Sequence, residues 1–377
     1  MNQTVDGPRY GRRVLGRERL RRGGGGGNRK LLAQTGPDLA PARPPVTPGS
    51  VARGLFGAES MSWLTKLPLW RGTVVLAYHR MHREGEETPF DPGTFSASPS
   101  AFDAQLAFIA RHFEVVSPEA IARDPESRDR RVILTFDDGY RDNYELALPV
   151  LRKHGATATF FLTTRRIDDP DVAWWDELAW IVKRSPRDEL EPGPWLRRAL
   201  PLDGDRRSAI TELARVFKSL PSDRTESFLE FCADAAGTGR CDADAAGDLW
   251  MTWEMAAELR DAGMTVGGHS ATHPVLGRAR PEVQNREIEE CARRLDEELG
   301  VPMRFFAYPV GLPASFNDAT RRLLRHAGVE LAFSLYGGYL RPGRLDPYDV
   351  PRASVAADMS PRAFRAMLAL PRLFARW

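Results

Sequence analysis

Cysteine is scarce in this chain of 377 residues: Cys232, Cys241 and Cys291 are the three present, with no Cys-x-x-Cys pair and no even-numbered framework. That excludes a disulfide scaffold and reads the thiols as incidental, compatible with a reducing compartment. Long apolar runs are lacking too, since none approaches the ~18 residues of a membrane span. Charge of one sign is not in excess, with 53 Lys and Arg against 51 Asp and Glu, so bulk composition gives no reason to expect a nucleic-acid partner. Residues 1–60 lack periodic apolar positions. They are crowded with Arg, Gly and Pro, carry Arg21-Arg22 followed by five glycines from Gly23 to Gly27, and hold nothing like the apolar core of a secretory signal. The expectation is a disordered segment over 1–60, with Met61 as a candidate natural start and one folded domain over 61–377.

What the folded part does have is strand, turn and helix in alternation. Val132-Ile133-Leu134-Thr135-Phe136 is an apolar strand that delivers Asp137 and Asp138 to a turn at Gly139. Two adjacent carboxylates are poor core residues, because a buried carboxylate needs a cation to stay charged. They are either solvated turn acids or a site. The helical spacing of Tyr144 to His154, the cap-like Gly155 and a strand at Ala158–Thr163 complete a βαβ unit of a parallel sheet, whose sites gather at the strands' carboxyl ends. An earlier strand, Thr73–Tyr78, ends in His79, and Ser98 caps an amphipathic helix carrying Phe102, Leu106 and Ile109.

The rhythm breaks at about 174–249, a charged and mostly helical stretch that reads as an insertion. Its Trp174 and Trp175 are either core residues or flat platforms for a sugar ring. The sheet resumes at Met264–Gly268 and runs into His269-Ser270-Ala271-Thr272-His273-Pro274. Histidines four apart share a face if they make one helical turn. With the acids at another strand end, two imidazoles and a carboxylate form a ligand set for zinc or a related divalent ion. A long helix over Pro281–Leu299, a strand ending in Tyr308-Pro309-Val310-Gly311, a helix over Asp318–Ala327 and a last strand at Val350–Val355 follow. The stretch from Pro361 to Trp377 mixes four arginines with Phe364, Met367 and Leu368, which suits packing on the domain or peripheral contact with a membrane.

Thr135-Phe136-Asp137-Asp138-Gly139, His269-Ser270-Ala271-Thr272-His273 and Ala307-Tyr308-Pro309-Val310-Gly311 resemble, in order, the three motifs of the NodB-homology polysaccharide deacetylases, carbohydrate esterase family 4. Tyr78-His79 and Tyr140–Tyr144 look most like the poly-N-acetylglucosamine deacetylase branch. The resemblance covers about 74–355 apart from the insertion. It implies an α/β fold, a distorted (β/α)7-type barrel, and a hydrolase that removes N-acetyl groups from an amino-sugar polysaccharide or glycan precursor. It also implies one divalent metal ion, zinc by the donor set, held by Asp138, His269 and His273. Asp137 becomes the general base, and Tyr308, Pro309 and Val310 form the oxyanion side, with the Val310 N–H as donor.

Two positions depart from the family pattern. Ala307 stands where the third motif usually has an arginine that holds the catalytic acid, and no late Leu-x-His is present. Arg352 is the candidate to replace the first, and His79 the candidate general acid in place of the second. Two alternatives stay open: an amide hydrolase or deacylase of the same fold on a non-polymeric substrate, and a weakened homologue that binds carbohydrate. The expected partner is an N-acetylated glycan or a lipid-linked amino sugar, with no nucleic acid. The expected location is cytoplasmic, with contact at the inner membrane face through the C-terminal segment.

Overall fold

The computed structural model describes residues 69–375. The expected disordered segment 1–60 and the candidate start at Met61 lie outside the described residues. Seven strands carry the architecture: β1 (Gly72–Tyr78), β2 (Arg130–Phe136), β3 (Thr159–Leu162), β4 (Thr265–Gly268), β5 (Phe305–Ala307), β6 (Leu331–Phe333) and β7 (Ala353–Ser354). They are parallel and hydrogen-bonded in the order β6-β5-β4-β3-β2-β1-β7. The two-residue strand Glu114–Val115 joins the start of β2. The segment leading into β7 closes the ring. Val350 bridges Phe333 of β6, and Ala353 then sits opposite Leu76 of β1. The result is the expected distorted (β/α)7-type barrel.

Strand residues point alternately inward and outward, so both faces of a barrel strand must be apolar. Val75, Ile133, Phe161, Phe305 and Phe333 fill the interior. Their neighbours Val74, Leu76, Val132, Leu134, Phe160 and Phe306 pack outward against the helices. Gly267 belongs to the interior set, because a Cβ there would meet the Phe305 carbonyl oxygen at 2.6 Å and the Phe161 ring at 2.8 Å. The helix after the acid turn differs from expectation. It opens with a π-helical turn over Asn143–Ala147 and becomes α-helical over Leu148–His154, ending at Gly155 with φ 59°. Pro149 has no N–H for the Glu145 carbonyl, so the regular i→i−4 ladder does not run through this point.

Between β3 and β4 the chain forms α1 (Trp174–Arg184), α2 (Arg206–Ser219) and α3 (Thr225–Ala236). They have a core of their own, built on Leu178, Ile181, Leu213, Phe217 and Phe228. At the other end, α4 (Pro361–Ala369) turns Phe364, Met367 and Leu368 into the main core. Its apolar side is thus occupied by the barrel and not presented to a lipid surface. Among the described residues no helix is long and apolar enough to cross a membrane. The three cysteines are free thiols.

Candidate metal and acid-base site

The carboxyl ends of β1, β2, β4 and β5 deliver His79, Asp137-Asp138, His269 and Tyr308-Pro309-Val310 to one rim. Asp138 Oδ1 lies 3.4 Å from His269 Nε2 and 3.5 Å from His273 Nε2. One donor atom from each of the three residues falls within 4.8 Å of the others, and all three side chains are buried. Such a set suits a divalent ion with positions left open for other ligands. Two features of the donors fit an ion as well. Asp138 Oδ1 is buried without a hydrogen-bond partner. The Nδ1 of His269 sits 2.7 Å from the Ala307 carbonyl oxygen; donating there leaves Nε2 as the free lone pair.

The two histidines do not share a helical turn. Residues 269–273 are irregular backbone, and Ser270 and His273 take φ of 65° and 64°. The Ser270 hydroxyl accepts from the His273 N–H at 3.0 Å and so closes the loop that turns both rings toward Asp138. Asp138 and Val310 also have positive φ, 76° and 65°, and these are the four non-glycine residues with that geometry among the described residues. Each costs roughly 1–3 kcal/mol. Strain concentrated at one rim marks a site whose surroundings over-determine it.

Asp137 does not join the ligand cluster. It is bound by Arg352, whose Nη1 and Nη2 donate to Oδ1 and Oδ2 at 2.6 and 2.8 Å. The guanidinium comes from the chain just before β7, is fully buried, and also donates to the Thr135 hydroxyl and the Ser334 carbonyl. Ala307 lies in the same barrel interior. Its small side chain leaves the interior open to an arginine arriving from the opposite end of the sheet. His79 is half-buried, with Nε2 3.9 Å from Asp137 Oδ2. Its backbone N–H donates to Ser96 Oγ at 2.9 Å.

Burial pushes the Asp137 carboxyl up, but the Arg352 charge, with smaller help from His269 and His79, holds it below the usual carboxylate range. Asp138 is likewise raised by burial and then held well below that range by His269 and His273. Burial and the neighbouring His269 ring push His273 well below the usual imidazole value, so this ring is neutral at pH 7. A charged carboxylate and a neutral imidazole are the forms that ligate.

Tyr308 lines the cavity, but its hydroxyl donates to the Tyr348 carbonyl and its ring stacks on Phe316 at 3.9 Å. Pro309 is buried and has no N–H. Val310 is half-buried on the cavity wall and keeps a backbone N–H, whereas the Tyr308 N–H donates to the Phe333 carbonyl at 3.0 Å. The cavity measures about 340 Å³ and is walled by His79, Asp137, His273 and Val310 on the barrel side and by Trp174 and Lys218 from the helical insertion.

Trp174 and Trp175 are packing residues with little surface to offer a sugar, each 7 % exposed. Trp174 stacks on Phe217 at 4.1 Å, and Trp175 stands edge-on to His273 at 4.5 Å. Sequence reasoning missed what Trp175 leads to. Its Nε1 donates to the Tyr140 hydroxyl at 2.8 Å, and that hydroxyl donates to Asp176 at 2.7 Å. The Arg80 guanidinium lies 4.7 Å from the Tyr140 ring and pairs with Asp142 at 2.9 Å. Tyr140 follows the acid turn directly, and that adjacency was the available signal. Asp176 and Arg80 carry none in the sequence.

A family model for polysaccharide deacetylases matches residues 124–189 and 223–332, and over these residues the chain belongs to the polysaccharide deacetylase family. The gap in the match, 190–222, contains α2. Among curated proteins, YxkH of Bacillus subtilis is 45% identical over 71 residues, 18% of this chain. That stretch spans a quarter of the relative's length, 25%. Among solved structures, the fold is similar to a Streptococcus pyogenes deacetylase, PplD, in complex with acetate, at TM-score 0.50 and 20% identity over 77% of this chain and 95% of that one. It is similar also to a Bacillus cereus polysaccharide deacetylase, at TM-score 0.51 and 15% identity over 78% of this chain and 68% of the other. At these identities the likeness is one of fold.

Proposed function

We propose that the chain is a metal-dependent hydrolase that removes N-acetyl groups from an amino-sugar glycan. The observation that carries this reading is the pairing of a clamped, non-ligating carboxylate, Asp137, with the adjacent Asp138, His269 and His273 cluster in one cavity. A divalent ion held by those three residues, zinc being the one the donor set suits best, would lower the pKa of water toward ~7 and polarise an acetyl carbonyl.

The remaining work falls to the chain. Asp137, kept charged by Arg352 and aimed by its two hydrogen bonds, takes the proton of the attacking water as general base. The Val310 N–H, fixed in place by its left-handed backbone, is offered to the oxygen that gains charge. His79 stands at the cavity wall, next to Asp137 and partly open to solvent, and protonates the departing amine. Arg352 is a positioning residue, since it touches the base and not the substrate.

The test is acetate release from N-acetylated oligosaccharides and lipid-linked amino sugars, with chelator and zinc add-back, beside non-sugar acetamides. Release from sugars that stops with chelator and returns with zinc supports the reading. Release confined to the non-sugar amides replaces it with an amide hydrolase of the same fold. Stoichiometric metal without turnover on any member replaces it with a binding homologue.

A further inference from the structure

Among the described residues, Lys218 is the single lysine or arginine on the wall of the proposed catalytic cavity. It comes from α2, in the stretch that the family model leaves unmatched. The residue is half-buried, and its ammonium lies 5.6 Å from the centre of the Trp174 ring. Among the described residues it has no carboxylate within 4.0 Å, and Asp91, across the same cavity, is the acid whose charge it feels. Asp91 itself is engaged elsewhere, with Oδ1 accepting from the Gly93 N–H at 2.8 Å. The other acids of the site face partners of their own: Asp137 is paired with Arg352, and Asp138 faces the His269 and His273 rings that complete the proposed metal cluster.

A primary ammonium drawn partly out of water is unfavourable unless it finds counter-charge or a π face. The Trp174 ring supplies part of that. The rest is available to a ligand. We infer that Lys218 is a specificity-determining residue that receives an anionic group, a phosphate or a carboxylate, carried by the N-acetylated sugar whose acetyl group sits at Asp137. This rests on the deacetylase reading above and adds a substrate class to it: acidic amino sugars in preference to neutral ones.

The experiment compares the full-length, zinc-loaded protein with Lys218→Met, which keeps the aliphatic stem over Trp174 and removes the charge. The probes are N-acetylglucosamine 1-phosphate for the phosphate, N-acetylmuramic acid for the carboxylate, and chitotetraose as the neutral sugar. Each is followed by acetate release and, independently of turnover, by calorimetric binding to Asp137→Asn and Asp137→Asn/Lys218→Met proteins. The expected result is a loss of at least about tenfold in kcat/KM and in affinity for one acidic probe, with chitotetraose changed less than about twofold. The acidic probe that responds identifies the anion. Equal losses on all three probes, or none on either acidic probe, overturn the assignment. If no probe releases acetate, the deacetylase reading fails separately, and the binding arm still decides whether Lys218 selects an anion.

Discussion

At the scale of single residues, the site turns on how one carboxylate is kept different from its neighbour. Asp137 and Asp138 are adjacent, yet one faces a guanidinium and the other two imidazoles. Replacing Asp137 with Asn keeps the shape and removes the carboxylate proposed as the base. The variant is expected to retain stoichiometric metal and lose about 10²–10⁴ in kcat, measured by metal analysis beside acetate release. Arg352→Met tests the clamp. It leaves a fully buried carboxylate without its cation, so unfolding by denaturant should show a loss of about 3–5 kcal/mol. The double variant with Asp137→Asn should recover much of that loss, because no unpaired charge then remains. Arg352 was legible as a candidate because the sequence has Ala307 where the family's arginine stands, which left the acid in need of a cation. The Tyr140–Asp176 pair was not, since it joins residues 36 apart with no periodic pattern to announce it.

At the scale of elements, the inserted α1 contributes less a lid than a brace for the proposed metal cluster. Trp175 on α1 packs on His273 and reaches Tyr140, and Asp176 on the same helix receives the Tyr140 hydroxyl and the Asp91 N–H. Trp175→Ala should lower stability by about 3–5 kcal/mol and weaken metal binding by about 10–100-fold as the His273 ring loses its support, read by thermal melting and by competition with a chelating dye. Burial raises the Asp176 carboxyl from its ordinary 3.8 to about 6. Between those values the folded chain binds more protons than the unfolded one, so this group favours folding below pH 3.8 and that contribution is lost as pH rises through about 6. The stability difference between wild type and Asp176→Asn, followed by denaturant melts from pH 4 to 7, should therefore change by roughly 2–3 kcal/mol in that direction. Elements with clear periodicity were readable in advance, as the helix over Pro281–Leu299 shows. Loops held by side chains were not. The 269–273 segment carries helix-compatible spacing but is bent by two left-handed residues, a conformation that no periodicity encodes.

At the scale of the whole molecule, barrel and site depend on the same closing segment. The chain from Pro347 to Val355 bonds to β6 on one side, through Ala332 and Ser334, and to β1 on the other, through Ala77. In between it threads Arg352 into the interior. Parallel order could be read from the alternation of strand and helix, and apolar strand runs announced burial on both faces. Closure could not, because β7 is two residues long and its partners lie at opposite ends of the sequence. Closure has a consequence that separates architecture from chemistry. A chain ending at Asp346 loses β7, α4 and Arg352 together, exposing the edges of β1 and β6 along with the core face that Phe364, Met367 and Leu368 cover. Open, apolar strand edges pair with other chains, so this truncation should melt without a cooperative transition and form aggregates detectable by light scattering. Arg352→Met keeps the strand and the ring of hydrogen bonds. It should still melt in one sharp transition at lower temperature while losing turnover. Cooperative melting in both proteins would mean that the barrel does not need its closing strand.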